Sequence, residues 1–137
     1  MARLTLKDTE DYNFTLFGIA SHAKDYRLSW AINKALGIAL ERPPQNEANP
    51  TDIFEQFSIH QHDDADNFLI YTLISNRSIN GLFAPDQKKV DFFLKIEGGI
   101  AEMRKSEMMA ELNKIELVLA VYAIDPAKIR SKQNFLI

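Results

Sequence analysis

The sequence predicts an α+β fold: a largely antiparallel sheet of about five strands with two helices packed on one face, a ferredoxin-like variant of order β-α-β-β-β-α-β. Three observations carry this. In Val90 to Glu97, VDFFLKIE, the residues Val90, Phe92, Leu94 and Ile96 alternate strictly with Asp91, Phe93, Lys95 and Glu97, the period of a half-buried strand. Phe68 to Ile74 (FLIYTLI) and Leu117 to Ile124 (LVLAVYAI) are short and apolar at both parities, as inner strands covered on both faces are. Two further stretches place apolar residues at helical spacing, and this mixed order implies helices layered on an antiparallel sheet.

Tyr12 to Ala20, YNFTLFGIA, is rich in aromatic and β-branched residues and forms the first strand, with Gly18 marking a bulge or a close backbone approach. Ser21 and Asp25 are two possible N-caps for a helix whose Leu28, Ile32, Ala35 and Leu36 recur at helical spacing and which Gly37 stops. A second row, Tyr26, Trp30 and Asn33, runs along the same helix. Core packing is its first expectation, with Trp30 buried, and a partner or ligand surface is the second, because aromatics with a polar tip are enriched at interfaces.

ERPPQNEANPTD, from Glu41 to Asp52, reads as a loop. Ile53, Phe57 and Ile59 then alternate with Phe54, Gln56, Ser58 and His60 in a second strand with one polar face. An acidic turn, Asp63 to Asn67, pairs it with the FLIYTLI strand as a hairpin. Asn80-Gly81 is a turn dipeptide and Pro85 a break before the alternating strand. Gly98-Gly99 ends that strand. The second helix runs to about Asn113 with Met108, Leu112 and Ile115 as its apolar row, Asp125-Pro126 stops the last strand, and Phe135-Leu136-Ile137 docks on the body.

A length of 137 residues, 46% of them hydrophobic and 26% charged, suits one domain over residues 1–137 with a single core. Sixteen basic against 19 acidic side chains give a net charge of -3, with no basic run beyond Lys88-Lys89, which argues against a nucleic-acid footprint. The absence of cysteine excludes disulfides, thiolate nucleophiles and zinc-thiolate sites. No run of about 18 apolar residues offers a membrane span, and a cytoplasmic location is expected.

Three stretches carry a resemblance: SHAKDYRLSWAINKALG (Ser21 to Gly37), SNRSINGLFAPDQKKVDFFLKIEG (Ser75 to Gly98) and YAIDPAKIRSKQNFLI (Tyr122 to Ile137). On these the chain resembles, end to end, a bacterial family of small uncharacterised proteins named for an IPExxVDY signature. Within the signature Ala84 stands for Ile, Asp86 for Glu and Phe92 for Tyr, and three residues rather than two separate Asp86 from Val90. The resemblance implies a single-domain cytoplasmic protein and transfers no catalytic residue, ligand or cofactor.

His60 and His62, two apart on a strand, share a face with Asp63, Asp64 and Asp66 close behind, and imidazoles with a carboxylate can hold a divalent metal. The polar side of a half-buried strand explains the same residues, so both imidazoles are expected to face solvent without metal. Gly98-Gly99 before a helix could offer N–H groups to an anion, although a tight turn explains them too. No G-x-S-x-G, P-loop or dinucleotide fingerprint is present, and Asp63-Asp64 lies in an exposed turn rather than a desolvated site. Arg77 and Asp91, charged residues at the edges of apolar strands, are expected to pair across strands.

The expected function is therefore a non-catalytic protein-interaction or self-associating module needing no cofactor. Its candidate surface residues are Tyr26, Trp30, Asn33, Arg77, Asp91 and Phe93. A homodimer is expected, with a further protein partner as the other possibility. If Val90, Phe92, Leu94 and Ile96 face the helices, Phe93 points outward between Asp91 and Lys95, an aromatic centre with a charged rim. The competing cover for that sheet face is the tail, Phe135 to Ile137. The alternative function is a small-molecule-sensing regulatory domain of ferredoxin-like form, which would need a pocket with convergent polar groups.

Overall fold

The computed structural model describes residues 14–43, 57–78, 81–130 and 132–135. In chain order the elements are β1 (Phe14–Ala20), α1 (Asp25–Leu36), β2 (Ile59–Asp64), β3 (Leu69–Ser75), β4 (Arg77–Ser78), β5 (Gly81–Leu82), β6 (Phe92–Glu97), α2 (Glu102–Asn113) and β7 (Ala120–Ile124). Five strands form one sheet in the order β2-β3-β6-β1-β7, every neighbour antiparallel. The alternating stretch is thus the central strand. Because β1 and β3 both run against β6, they are parallel to each other and linked through α1; β6 and β7 are likewise parallel and linked through α2. Two such interleaved β-α-β units make a ferredoxin-like sheet, with β2 added outside β3 through the expected hairpin.

The two faces have separate cores. Beneath the helices lie Phe17 and Ile19 of β1, Tyr71 and Leu73 of β3, Phe92, Leu94 and Ile96 of β6 and Val121 of β7, packed against Leu28 and Ile32 of α1 and Met108 and Leu112 of α2. On the opposite face Leu16, Ile74 and Phe93 are covered by Phe83, Ala84 and Val90 from the segment before β6, and by Ile129 and Phe135 near the C-terminus. The rings of Phe83 and Phe93 each stand edge-on to Phe135 at 4.9 Å between centroids.

This second core corrects the placement of Phe93, which is fully buried instead of facing outward. Its side of the sheet is the one foreseen, but the chain itself closes over it. Val90 also differs: the strand begins only at Phe92, so Val90 lies in the approach to β6 and packs with the second cluster. A Cβ on Gly18 would come within 2.7 Å of Ile124 Cδ1 and 2.9 Å of Val90 Cγ2, so the glycine marks a close approach.

What holds the covering segment down is Asn76, which is completely buried. Its side-chain amide donates to the Val90 carbonyl at 2.7 Å and to the Gln87 carbonyl at 3.0 Å, while its oxygen accepts from the Ala84 amide at 2.8 Å. Its backbone adds bonds from Asn76 N–H to the Asp91 carbonyl and from Phe83 N–H to the Asn76 carbonyl. The stretch from Phe83 to Val90 is therefore laid across the sheet by one asparagine, and Asp86 ties it to the segment after β7 by accepting from the Arg130 amide at 2.8 Å.

Several boundaries move. β2 continues through Asp63 and Asp64, because its ladder with β3 runs to the Asp64–Leu69 pair and a solvent-facing edge strand tolerates acidic residues; the turn is Ala65–Asn67 followed by Phe68. Phe68 consequently leaves the strand, taking a left-handed conformation at φ 57° and 86% exposure. The last strand is shorter than expected and lies at the sheet edge, with Leu117–Leu119 leading into it. It is apolar at both parities because each face of the sheet has a cover. The first turn of α1 is entered from Lys24, without a side-chain cap: Ser21 Oγ accepts from Ala23 N–H, and Asp25 is already helical. Gly37, left-handed at φ 68°, closes it. Gly98, at φ 121°, lies where a Cβ would run into the Phe68 carbonyl oxygen, so tight packing of the hairpin turn accounts for it. Tyr12, Asn13, Ile53, Phe54, Gln56, Asn80, Leu136, Ile137 and most of the Glu41 to Asp52 loop lie outside the described residues.

Candidate functional site

A helix laid on a sheet needs one apolar stripe, and in α1 Leu28 and Ile32 supply it. At about 100° per residue, positions 26 and 30 fall some 200° from position 28 or 32, on the far side. Tyr26 is accordingly 64% exposed and Trp30 65% exposed, which corrects the core reading of this row. Trp30 is the sole tryptophan of the chain. It lines two adjoining hollows of about 360 and 390 Å³ that share Arg27 and Leu117, and Ile115 and Glu116 of the α2–β7 turn form the opposite wall. Lys34 Nζ sits 5.3 Å from the Trp30 ring centroid, a cation–π contact one helical turn along.

Asn33 belongs to the fold instead. Its side chain accepts from the Leu40 amide at 2.7 Å and donates to the Leu40 carbonyl at 3.1 Å, pinning the chain as it leaves Gly37. Only tertiary structure distinguishes an amide that recognises a partner from one that staples a turn.

Arg77 and Asp91 meet as expected. Arg77 Nε lies 2.7 Å from Asp91 Oδ1, and Arg77 also donates to the Lys88 carbonyl at 2.7 Å. The other carboxylate oxygen of Asp91 accepts from Ser21 N–H at 2.9 Å, joining the end of β1 to the start of β6. Both residues border an open cleft of about 710 Å³ with Ser21, His22, Lys24, Asp25, Ser58 and Ser75 around it. Several polar groups here are engaged within the protein: the Ser58 hydroxyl donates to Asp25, Ser75 Oγ donates to the Arg77 carbonyl, and Ser21 Oγ donates to the Leu117 carbonyl. Burial alone would raise the Asp25 carboxyl, yet the Ser58 hydroxyl and the Tyr26 backbone outweigh it and hold the group below the ordinary carboxylate value.

His60 was expected to face solvent and is 4% exposed. The reason is its register: it pairs with Leu73, so its side chain enters the layer beneath the helices, close to Asp25 at the start of α1. Its Nδ1 has no hydrogen-bond partner. His62 shares that face farther along, half-buried, its ring 6.0 Å from that of Tyr71. Among the described residues no group of three His, Asp or Glu side chains converges as a metal site would require.

Burial pushes the His60 imidazole below its ordinary value, against a smaller upward pull from Asp25. As pH falls past about 6.5, the unfolded chain takes up a proton that the native His60 refuses, so stability declines from there toward the depressed native value. Denaturant midpoints measured at pH 7.5 and pH 5.5 should fall more for the wild type than for His60→Gln. Equal losses in the two proteins would show that His60 is not the group responsible.

No helix among the described residues is long and apolar enough to cross a membrane. Comparisons of the chain with protein-family models, with curated proteins and with solved structures gave no match.

Proposed function

We propose that this domain is a non-catalytic protein-interaction module acting through the exposed Tyr26–Trp30 face of α1. One observation carries the reading: the only tryptophan, 65% exposed, stands beside a 64% exposed tyrosine over a groove walled by Ile115 and Leu117. Large aromatics gathered at the surface leave apolar area in water that a partner would bury, and Trp, Tyr and Arg dominate binding energetics where partners meet. A second copy of the chain and another protein are the two candidate occupants.

The sequence-based argument for a homodimer needed an open sheet face, and Phe83, Ile129 and Phe135 already occupy it. Self-association would therefore use α1. The sensing alternative finds less support, because several polar groups around the cleft are engaged within the protein. A cytoplasmic location belongs to the same proposal and agrees with the lack of cysteine. Membership of the IPExxVDY family belongs to the same proposal and rests on Ser21 to Gly37, Ser75 to Gly98 and Tyr122 to Ile137.

Trp30→Ala tests the surface. Its unfolding free energy should stay within about 0.5 kcal/mol of wild type, as for exposed positions, while any self-association seen by light scattering up to the hundred-micromolar range disappears. A loss of about 3–5 kcal/mol, the cost of truncating a core aromatic, would overturn the assignment, as would an association that the variant leaves intact.

A further inference from the structure

We infer that the α1 groove receives an acidic segment of another protein bearing one large apolar side chain, in preference to a second copy of this chain. This rests on the Tyr26–Trp30 face being an interaction surface. Charge complementarity selects the occupant. Although the chain carries 19 acidic and 16 basic side chains, the exposed side of α1 presents Arg27 and Lys34 on either side of Trp30. Among the described residues the acids nearby do not balance them: Asp25 receives the Ser58 hydroxyl, and Glu116 is the single carboxylate lining the groove.

Arg27 and Lys34 lie seven residues apart, about 10 Å along the helix axis, with Trp30 between them. An apolar side chain seated between Trp30 and Leu117 would thus have a cation on either flank, and carboxylates before and after the anchor would complete the match. A two-fold dimer cannot supply this arrangement. Its symmetry requires that if position i meets position j, then j meets i. Antiparallel helices crossing near Trp30 would bring each Arg27 beside the second copy's Lys34, and parallel ones would set each cation against itself. One Glu116 per copy does not offset both Arg27 and Lys34.

The test uses the whole chain and two labelled synthetic amphipathic helical peptides of identical apolar face, one flanked by glutamates and one by lysines. Peptide anisotropy gives affinity, and wild-type Trp30 emission reports on the groove directly. The glutamate peptide should bind at least tenfold more tightly than the lysine peptide, shift the tryptophan emission and weaken as salt is raised. Arg27→Glu combined with Lys34→Glu should reverse the preference without moving the unfolding midpoint. Equal affinities for the two peptides, or binding of neither, would overturn the inference. If both bind equally and Trp30→Ala abolishes both, the interaction surface survives while its acidic preference falls. If binding is indifferent to Trp30→Ala, the surface falls as well. Wild-type self-association abolished by Trp30→Ala would make the second copy the occupant and also overturn it.

Discussion

Phe135→Ala is expected to destabilise the protein by about 3–5 kcal/mol, the range for truncating a fully enclosed aromatic. Phe135 has no exposed surface, and it touches three other rings: Phe83 and Phe93 at 4.9 Å and Phe14 at 6.3 Å. Removing it empties the centre of the second core, whose covering layer is otherwise a short loop segment and Ile129. Because native stabilities span only about 5–15 kcal/mol, a loss of this size consumes a large share of the total. Chemical denaturation provides the number, and binding of a hydrophobic dye should rise as Phe93 becomes accessible. Phe135→Leu should retain most of the stability, since it keeps an apolar side chain in place. A loss below about 1 kcal/mol for the alanine variant would mean that the tail does not seal the sheet. The open face would then again be a candidate for dimerisation through Phe93.

Asn76→Ala should cost a comparable amount by a different route. The buried side chain satisfies the Val90 carbonyl and the Ala84 amide, so its removal strands two backbone groups in the interior, while the Gln87 carbonyl loses one of two donors and keeps the Val90 N–H. Each unsatisfied group costs about 1–3 kcal/mol, and because such losses are not additive, about 3–5 kcal/mol overall is expected. Asn76→Asp should be no better: it keeps the acceptor for Ala84 but sets a carboxylate against two carbonyl oxygens. Denaturant unfolding and hydrogen exchange at the Ala84 amide report the effect. If that amide remained protected in Asn76→Ala and the midpoint barely moved, Asn76 would not be the clamp described here. The same variant should loosen Asp91, and with it the Arg77 pair and the bond to Ser21 that joins β1 to β6.

These two positions were not equally visible beforehand. Phe135 belongs to an apolar tail expected to dock, whereas Asn76 is one polar residue among several after the FLIYTLI run, and nothing in a residue type announces three simultaneous side-chain bonds. The alternation of VDFFLKIE, the helical spacing of Leu28 and Ile32 and the apolar runs on either side were sufficient for the fold class, since period and length are local properties. The strand order extended this, placing the alternating strand at the centre.

Facing and cover were decided only by tertiary structure. Phe92 and Phe93 were assigned to opposite sides by the pleat alone, but whether Phe93 met solvent depended on segments ten residues before it and forty after it. His60 was polar by type and buried by register, because a strand's side-chain direction follows its pairing with Leu73 rather than its own chemistry. Trp30 shows the converse. Its size suggested the core, yet two other residues had already filled the stripe that α1 turns to the sheet, and the helical period carried the tryptophan outward. Local sequence determined the elements and the spacing of their side chains, while long-range contacts decided which of those side chains the protein encloses and which it leaves available to a partner.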